Sequence, residues 1–350
     1  MRFASTTALL LSLAACTDNA TDTGNQGGDS GQKSGPTIYV ALDQQFSEPV
    51  LNGFAKELGI KLKQRHDAES NKTVGLVTAI LEDRDQQRCS VFWNNEVAHS
   101  ASLANKGVLE PYESPNAEDV PSRWRDPEHR WTAFAARARI LIVNTELVPN
   151  KADWPTSYKD LTDPKWQGKC AIAKPKTGTT LTHFVSMWKL LGDDGMKQWI
   201  EDMQNNDVQF LPSNGATMRM VRDGKKAFAF TDTDDFHVAK LKGFPVACVF
   251  PDQQADGIGT MLIPNSVALI KGGPDQENAK RLIDKILARD TEALLAAADG
   301  AQIPLRTGVP SPKDPEILKL GQFREMQWDL LWTGDNLAAF DQKFGKLFGL

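Results

Sequence analysis

Tyrosine is nearly missing from this chain. Tyr39, Tyr112 and Tyr158 are its three tyrosines, against nine tryptophans, and no two of them are neighbours. Cysteine is scarce too, at four residues. Beyond Cys16, the set Cys89, Cys170 and Cys248 is odd, so it permits at most one internal bridge and leaves a thiol over. Their spacing resembles no zinc ligand set. Cys170 and Cys248 lie in short apolar stretches that read as strands, so a bridge and two buried thiols both stay open. After the first residues no apolar run is long enough to cross a bilayer. A net charge of −5 without any basic block excludes an electrostatic nucleic-acid binder. Also absent are the Gly-x-Ser-x-Gly elbow, His-Glu-x-x-His and the phosphate-loop lysine motif, which argues against an exported hydrolase.

The chain starts with a positive charge at Arg2, a short apolar run from Ala8 to Ala15, and Cys16 directly after Leu13-Ala14-Ala15. Such a run is a secretory signal, too short to be a membrane helix. The cysteine after Leu-Ala-Ala resembles the bacterial lipobox, which implies a signal peptide over 1–15 and lipid attachment at Cys16. The protein is then expected outside the cytoplasm, held to a membrane by acyl chains. Residues 16–37 are polar and rich in small residues, and read as a flexible tether. Gly28-Asp29-Ser30-Gly31 matches a serine-protease nucleophile motif, but a tether supplies neither a rigid oxyanion pocket nor a positioned histidine, so the match is treated as chance.

Beyond the tether, short strands alternate with amphipathic helices, an α/β pattern. Thr37 to Leu42 reads as a buried strand and Phe46 to Leu58 as a helix ended by Gly59. Ile60 to Leu62 opens a further strand, Val74 to Leu81 is helical, and Cys89 to Trp93 is again extended. Ala133 to Val143 is long and apolar, interrupted by Arg137 and Arg139, and Gly259 to Lys271 is a second strand of this kind. Both are expected to cross between two lobes. Leu181 to Leu191 and Asn278 to Ala298 carry helical apolar faces.

The segment Trp154-Pro155-Thr156-Ser157-Tyr158-Lys159-Asp160-Leu161-Thr162-Asp163-Pro164-Lys165-Trp166-Gln167-Gly168-Lys169 resembles the opening of the second lobe in extracellular solute-binding proteins of ABC importers, nearest the ferric-iron-binding type. Val91 to Glu96, Asn278 to Asp284 and Gln302 to Leu305 continue the resemblance in order and spacing. It implies a two-lobed type II periplasmic-binding-protein fold with two crossing hinge strands and a ligand cleft between the lobes. Lobe 1 is expected over 38–133 and 260–310, and lobe 2 over 134–259 and 311–350. It also implies a monomer that delivers a small ligand to an inner-membrane permease, with no catalysis.

Glu96 matches the family's metal carboxylate, and a carboxylate just past a strand end suits a cation. Asp232, Asp234 and Asp235, within Thr231-Asp232-Thr233-Asp234-Asp235, form the densest acidic cluster and need a cation or several donors to offset their repulsion. If this stretch is extended, Asp232 and Asp234 face one side and Asp235 the other. One of them is expected to cap the following helix. The family's adjacent tyrosine pair falls on Asp234 and Asp235, and its early histidine near Gln45, so a tyrosinate iron site does not carry over. A metal held by Glu96, Asp232, Asp234 and Asp235 is the remaining metal reading. Thr177, Gly178 and Thr179 match the family's anion loop, as does Asn214, and both loops open helices whose N–H groups favour anions. Asp43, Gln45, Trp93 and Asn95 complete the expected ligand set. Trp93, Trp131 and Phe236 beside carboxylates would suit an organic cation such as a polyamine or thiamine-like solute. His237 is the histidine nearest the aspartates. The ligand expected is a metal with a synergistic anion or an aminophosphonate-like zwitterion. A sensory module on the same fold is a further alternative.

Overall fold

The computed structural model describes residues 35–67 and 73–349. The expected signal peptide, Cys16, most of the expected tether and the Gly28 to Gly31 motif lie outside these residues. The described residues begin inside the expected tether range. Pro36 accepts from Lys63 N–H at 3.1 Å, and a Cβ at Gly35 would meet the Lys61 carbonyl at 1.9 Å, so only glycine fits there.

The strands are β1 (Thr37–Val40), β2 (Lys63–His66), β3 (Val91–Asn94), β4 (Leu109–Glu110), β5 (Thr132–Asn144), β6 (Cys170–Ala173), β7 (Gln209–Leu211), β8 (Phe228–Asp232), β9 (Val246–Val249) and β10 (Leu262–Ile270). They pair in the order β2-β1-β3-β10-β5-β8-β6-β7, with β4 on β10 and β9 on β5. The helices are α1 (Gln44–Leu58), α2 (Val74–Glu82), α3 (Val97–Asn105), α4 (Gly178–Asn205), α5 (Asn214–Arg222), α6 (Thr233–Leu241), α7 (Gln276–Ile286), α8 (Arg289–Ala297) and α9 (Leu330–Phe344).

Strand alternation decides which helices each face meets. Ile38, Val40, Val91 and Trp93 pack with Val50 and Leu51 of α1 and Leu282 and Ile286 of α7. Tyr39 and Phe92 point the other way, onto Leu76, Val77 and Ile80 of α2. Burial of both faces explains why these strands read as continuous apolar runs.

Strand β5 joins the two halves of the sheet. Its residues 132–138 pair with β10, and its residues 139–143 pair with β8. The ladder is broken at Ala135, whose φ is +37° and whose N–H donates instead to buried Glu292 at 2.9 Å. The second crossing precedes β10: Arg139 N–H donates to Met261 carbonyl at 2.9 Å, while Thr260 N–H donates to the Arg324 carbonyl and the Thr260 carbonyl accepts from Met326 N–H, each at 2.9 Å. Gly259, at φ +87°, lies so close to the 324–326 segment that a Cβ would meet Glu325 backbone at 2.7 Å. This is the expected two-lobed α/β fold with two crossings. Helix α9 packs against both α3 and α4, with Gly334 letting its backbone approach the Ala98 carbonyl.

Two helix readings change. The single helix expected over 278–298 is two, because Ala288 is extended and the buried Arg306 guanidinium takes the Leu287 carbonyl at 2.8 Å. The helix expected over 181–191 continues as α4 to Asn205 through a kink at Gly192, φ +71°. The three cysteines of the described fold are unbridged; the thiols of Cys89 and Cys170 donate to the carbonyls of Val91 and Trp166.

Candidate functional site

The parallel pairs β1/β2, β1/β3, β6/β7 and β6/β8 set several strand ends toward one cleft. Ligands in α/β folds sit beyond such carboxyl ends, where helices start and their free N–H groups converge. Asp43 follows β1, Asn95 follows β3, Lys174 to Thr180 follow β6, Pro212 to Gly215 follow β7, and Asp232 to Asp235 end β8 and open α6. All of these but Pro175, Lys176 and Thr233 line one inner chamber of about 50 Å³, together with Arg137 of β5.

The chamber floor is a hydrogen-bond network that leaves Arg139 Nε and Nη2 without a partner. Arg139, fully buried, donates to Asp232 Oδ1 at 2.8 Å, and the two are opposite each other in the β5/β8 register. Thr179 Oγ1 donates to Asp232 Oδ2 at 2.6 Å, and Asn214 Nδ2 donates to both Thr179 Oγ1 at 2.9 Å and Asp232 Oδ2 at 3.0 Å. Thr180 Oγ1 donates back to Asn214 Oδ1 at 2.9 Å. The guanidinium of Arg139 also lies over Phe230, 4.9 Å from the ring centre. Burial would push the Asp232 carboxyl up, but Arg139 and Arg137 outweigh it and hold it below the ordinary carboxylate range.

Arg137 bridges the two halves. It donates through Nη2 to the Asn95 carbonyl and through Nη1 to Asp234 Oδ2 at 3.5 Å, with Asp232 Oδ2 at 3.8 Å. Its Nε is buried and has no partner. Asp235 accepts from Thr231 Oγ1 at 2.6 Å. Burial, with Asp234 and Asp232 close by, keeps its carboxyl well above the ordinary range. Helix α6 starting at Thr233 turns all three aspartates together, with one oxygen from each within 4.8 Å of the others. That overturns the extended reading in which Asp235 faced away. Asp232 is the N-cap residue of α6, yet its side chain makes no capping bond.

Above the floor, the start of α4 is open to an anion. Thr177 is its N-cap residue with no side-chain cap, and the first N–H groups of a helix have no acceptor in a preceding turn. Lys174 lines the same wall. The start of α5 is closed instead, since Ser213 accepts from Ala216 N–H at 3.1 Å.

Several expected ligand residues lie elsewhere. Glu96 is fully buried and caps α3: its oxygens accept from Ala98 N–H at 2.9 Å, His99 N–H at 3.0 Å, His99 Nδ1 at 2.6 Å, Asn94 Nδ2 at 3.0 Å and Thr182 Oγ1 at 2.8 Å. With those acceptor sites filled it is a structural cap outside the aspartate cluster, which corrects its metal role. Burial alone would raise this carboxyl, yet His99, Asn94 and Thr182 lower it to about 2. Trp93 is in the core, edge-on to Phe134 at 5.2 Å, because it shares the α1/α7 face of β3 with Val91. Trp131 and Phe236 are core residues as well, so no aromatic box faces the cleft among the described residues. Gln45 stands at the cleft mouth. The ring of His237 bonds to the Asp299 carbonyl at 2.8 Å, away from the inner chamber. The tyrosines are engaged elsewhere: Tyr39 accepts from Arg65, Tyr112 donates to Asp284, and Tyr158 lies edge-on to Trp199.

Arg137, Arg139 and Lys174 are the cleft residues that sequence reasoning passed over. The signal was present. Two arginines two apart in an apolar strand point to one face, and buried cations require carboxylates.

A model of the bacterial extracellular solute-binding protein family matches residues 98–332, the greater part of the chain. The chain belongs to this family. Iron uptake protein A1 of Synechocystis is 23% identical to this binding protein over 318 residues, spanning 88% of this chain and 85% of its own. A candidate 2-aminoethylphosphonate-binding periplasmic protein of Salmonella typhi is 23% identical, with 78% of this chain and 77% of its own covered. Among solved structures, iron-bound HitA from Pseudomonas aeruginosa superposes with a TM-score of 0.80 at 19% identity, over 90% of this chain and 99% of that one. The likeness to HitA is one of fold.

Proposed function

We propose that this solute-binding protein captures a small zwitterion, an amine carrying a phosphonate or phosphate, and delivers it as a monomer to an inner-membrane ABC permease. The observation that carries this reading is the pairing of opposite charges in one chamber. The uncapped start of α4, Lys174 and the unpartnered Nε of Arg137 suit an oxyanion. Asp43, Asp234 and Asp235 supply the acidic side for an ammonium group. The relative named for 2-aminoethylphosphonate supports the same chemistry. We further propose that Cys16 anchors the protein outside the cytoplasm, which keeps it beside its permease.

A second reading, a hard cation with an anion, is favoured by the three converging aspartate oxygens and by the relative named for iron uptake. Two guanidinium groups already offset those carboxylates, with Arg139 at 2.8 Å and Arg137 at 3.5 Å, and they would repel an added metal ion. Titration calorimetry of the chain lacking residues 1–34 with 2-aminoethylphosphonate, and separately with ferric citrate, distinguishes the two. Saturable binding of the phosphonate, weakened about 10- to 100-fold by Lys174→Gln, is expected. Binding of iron alone would favour the second reading.

A further inference from the structure

Beyond the inner chamber the cleft opens into a cavity of about 370 Å³ that shares Asp43, Gly215, Asp234 and Asp235 with it. Its walls are two helix faces and the start of α1, Gln44 to Phe46. Gly215, Met218, Arg219 and Arg222 lie along one side of α5, and Asp234, Asp235, Val238 and Lys242 lie along one side of α6 and just past it. The groove therefore runs beside both helices from their N-terminal to their C-terminal ends, about 10 Å at helical rise. Its charge reverses along that length, acidic where it meets the chamber and basic at Arg219, Arg222 and Lys242.

The basic end has spare capacity. Arg222 is paired with Asp223 at 2.7 Å, but the side chains of Arg219 and Lys242 make no hydrogen bond or ion pair among the described residues. Basic residues suit helix C-termini, which accounts for their presence on α5 and α6. It does not account for both helices turning them into one cavity continuous with the chamber.

We infer that this groove is a second anion subsite, and that the solute is an aminophosphonate or aminophosphate whose chain continues past the amine to a carboxylate. The phosphonate takes the start of α4, the ammonium takes the aspartate wall, and the carboxylate takes Arg219 and Lys242, both free to form charge-assisted bonds. This deepens the zwitterion reading and rests on it.

The test compares 2-aminoethylphosphonate with a series of phosphono amino acids in which its amine-bearing carbon is extended by a carboxyalkyl chain of increasing length, by calorimetry on the chain lacking residues 1–34. The expected result is that one or more phosphono amino acids bind about tenfold more tightly than 2-aminoethylphosphonate. In Arg219→Gln/Lys242→Gln that advantage falls below about threefold, while 2-aminoethylphosphonate affinity is unchanged. Binding of 2-aminoethylphosphonate with no gain from any carboxylate overturns the subsite and leaves the zwitterion reading standing. A gain that survives the double variant overturns the assignment to Arg219 and Lys242. Binding of neither probe class overturns the zwitterion reading, and the subsite with it.

Discussion

Thr182 Oγ1 donates to Glu96 Oε2 at 2.8 Å, and both side chains are buried. Glu96 follows β3 in one half of the molecule, and Thr182 lies in the first turns of α4 in the other. The helix cap of α3 is thus also a tie across the cleft.

Glu96→Ala is expected to destabilise the protein by about 3 kcal/mol, because it strands buried donors on both sides of that tie. Urea unfolding measures the loss. The carboxyl of Glu96 lies at about 2 in the fold against 4.5 ordinarily, so its stabilisation is complete above pH 4.5 and disappears as pH falls toward 2. Glu96→Gln should accordingly flatten the acid-unfolding curve across that window.

Arg139→Met leaves Asp232 buried with its nearest cation gone, which is expected to cost about 3–5 kcal/mol. Arg139→Met combined with Asp232→Leu should cost less than the single change, since neither buried charge is then stranded. A double-mutant cycle by thermal unfolding checks the coupling, and additive losses would argue against the pair.

Asp235 is held well above the ordinary carboxylate range by burial and by Asp234 and Asp232. An ammonium group arriving at the aspartate wall favours the ionised form. Binding of 2-aminoethylphosphonate is therefore expected to be coupled to proton release over the pH range in which Asp235 titrates. Calorimetry in buffers of different ionisation enthalpy measures it, and Asp235→Asn should abolish the release.

Ligand contacts from both halves favour a closed cleft, with the broken ladder at Ala135 in β5 as one flexing point. Small-angle scattering of the chain lacking residues 1–34 should show a smaller radius of gyration on saturation with 2-aminoethylphosphonate. An unchanged profile would count against hinge closure.

Cys16→Ser is expected to free the protein from membranes without altering solute affinity, because the cleft residues assigned to the solute run from Asp43 onward. Membrane fractionation with calorimetry tests it. Full membrane retention of the variant would remove the anchor from the proposal.

Much of the frame was legible because it depends on local patterns. Apolar stretches such as Thr37 to Leu42 and Ala133 to Val143 had the composition of doubly covered strands, and the polar loops at Thr177 and Asn214 stood where helices start. The single helix expected through Ala288 was misread because the donor that ends it, Arg306, comes from elsewhere in the chain.

The cleft chemistry was only half legible. The sequence by itself determined the fold class, the placing of the aspartates after a strand and the absence of a tyrosine pair. Only the tertiary structure decided which carboxylates are spent and which are offered. Glu96 and Asp232 look alike as acids after strands, yet one is consumed by four donors of its own neighbourhood and by Thr182 from the other half, and the other by Arg139 across the sheet. Trp93 beside Asn94 likewise reads as a cleft aromatic until strand alternation buries it under α1 and α7. A side chain's availability depends on partners distant in sequence, and burial makes those partners obligatory. Residue type and spacing name the candidates, and packing assigns the roles.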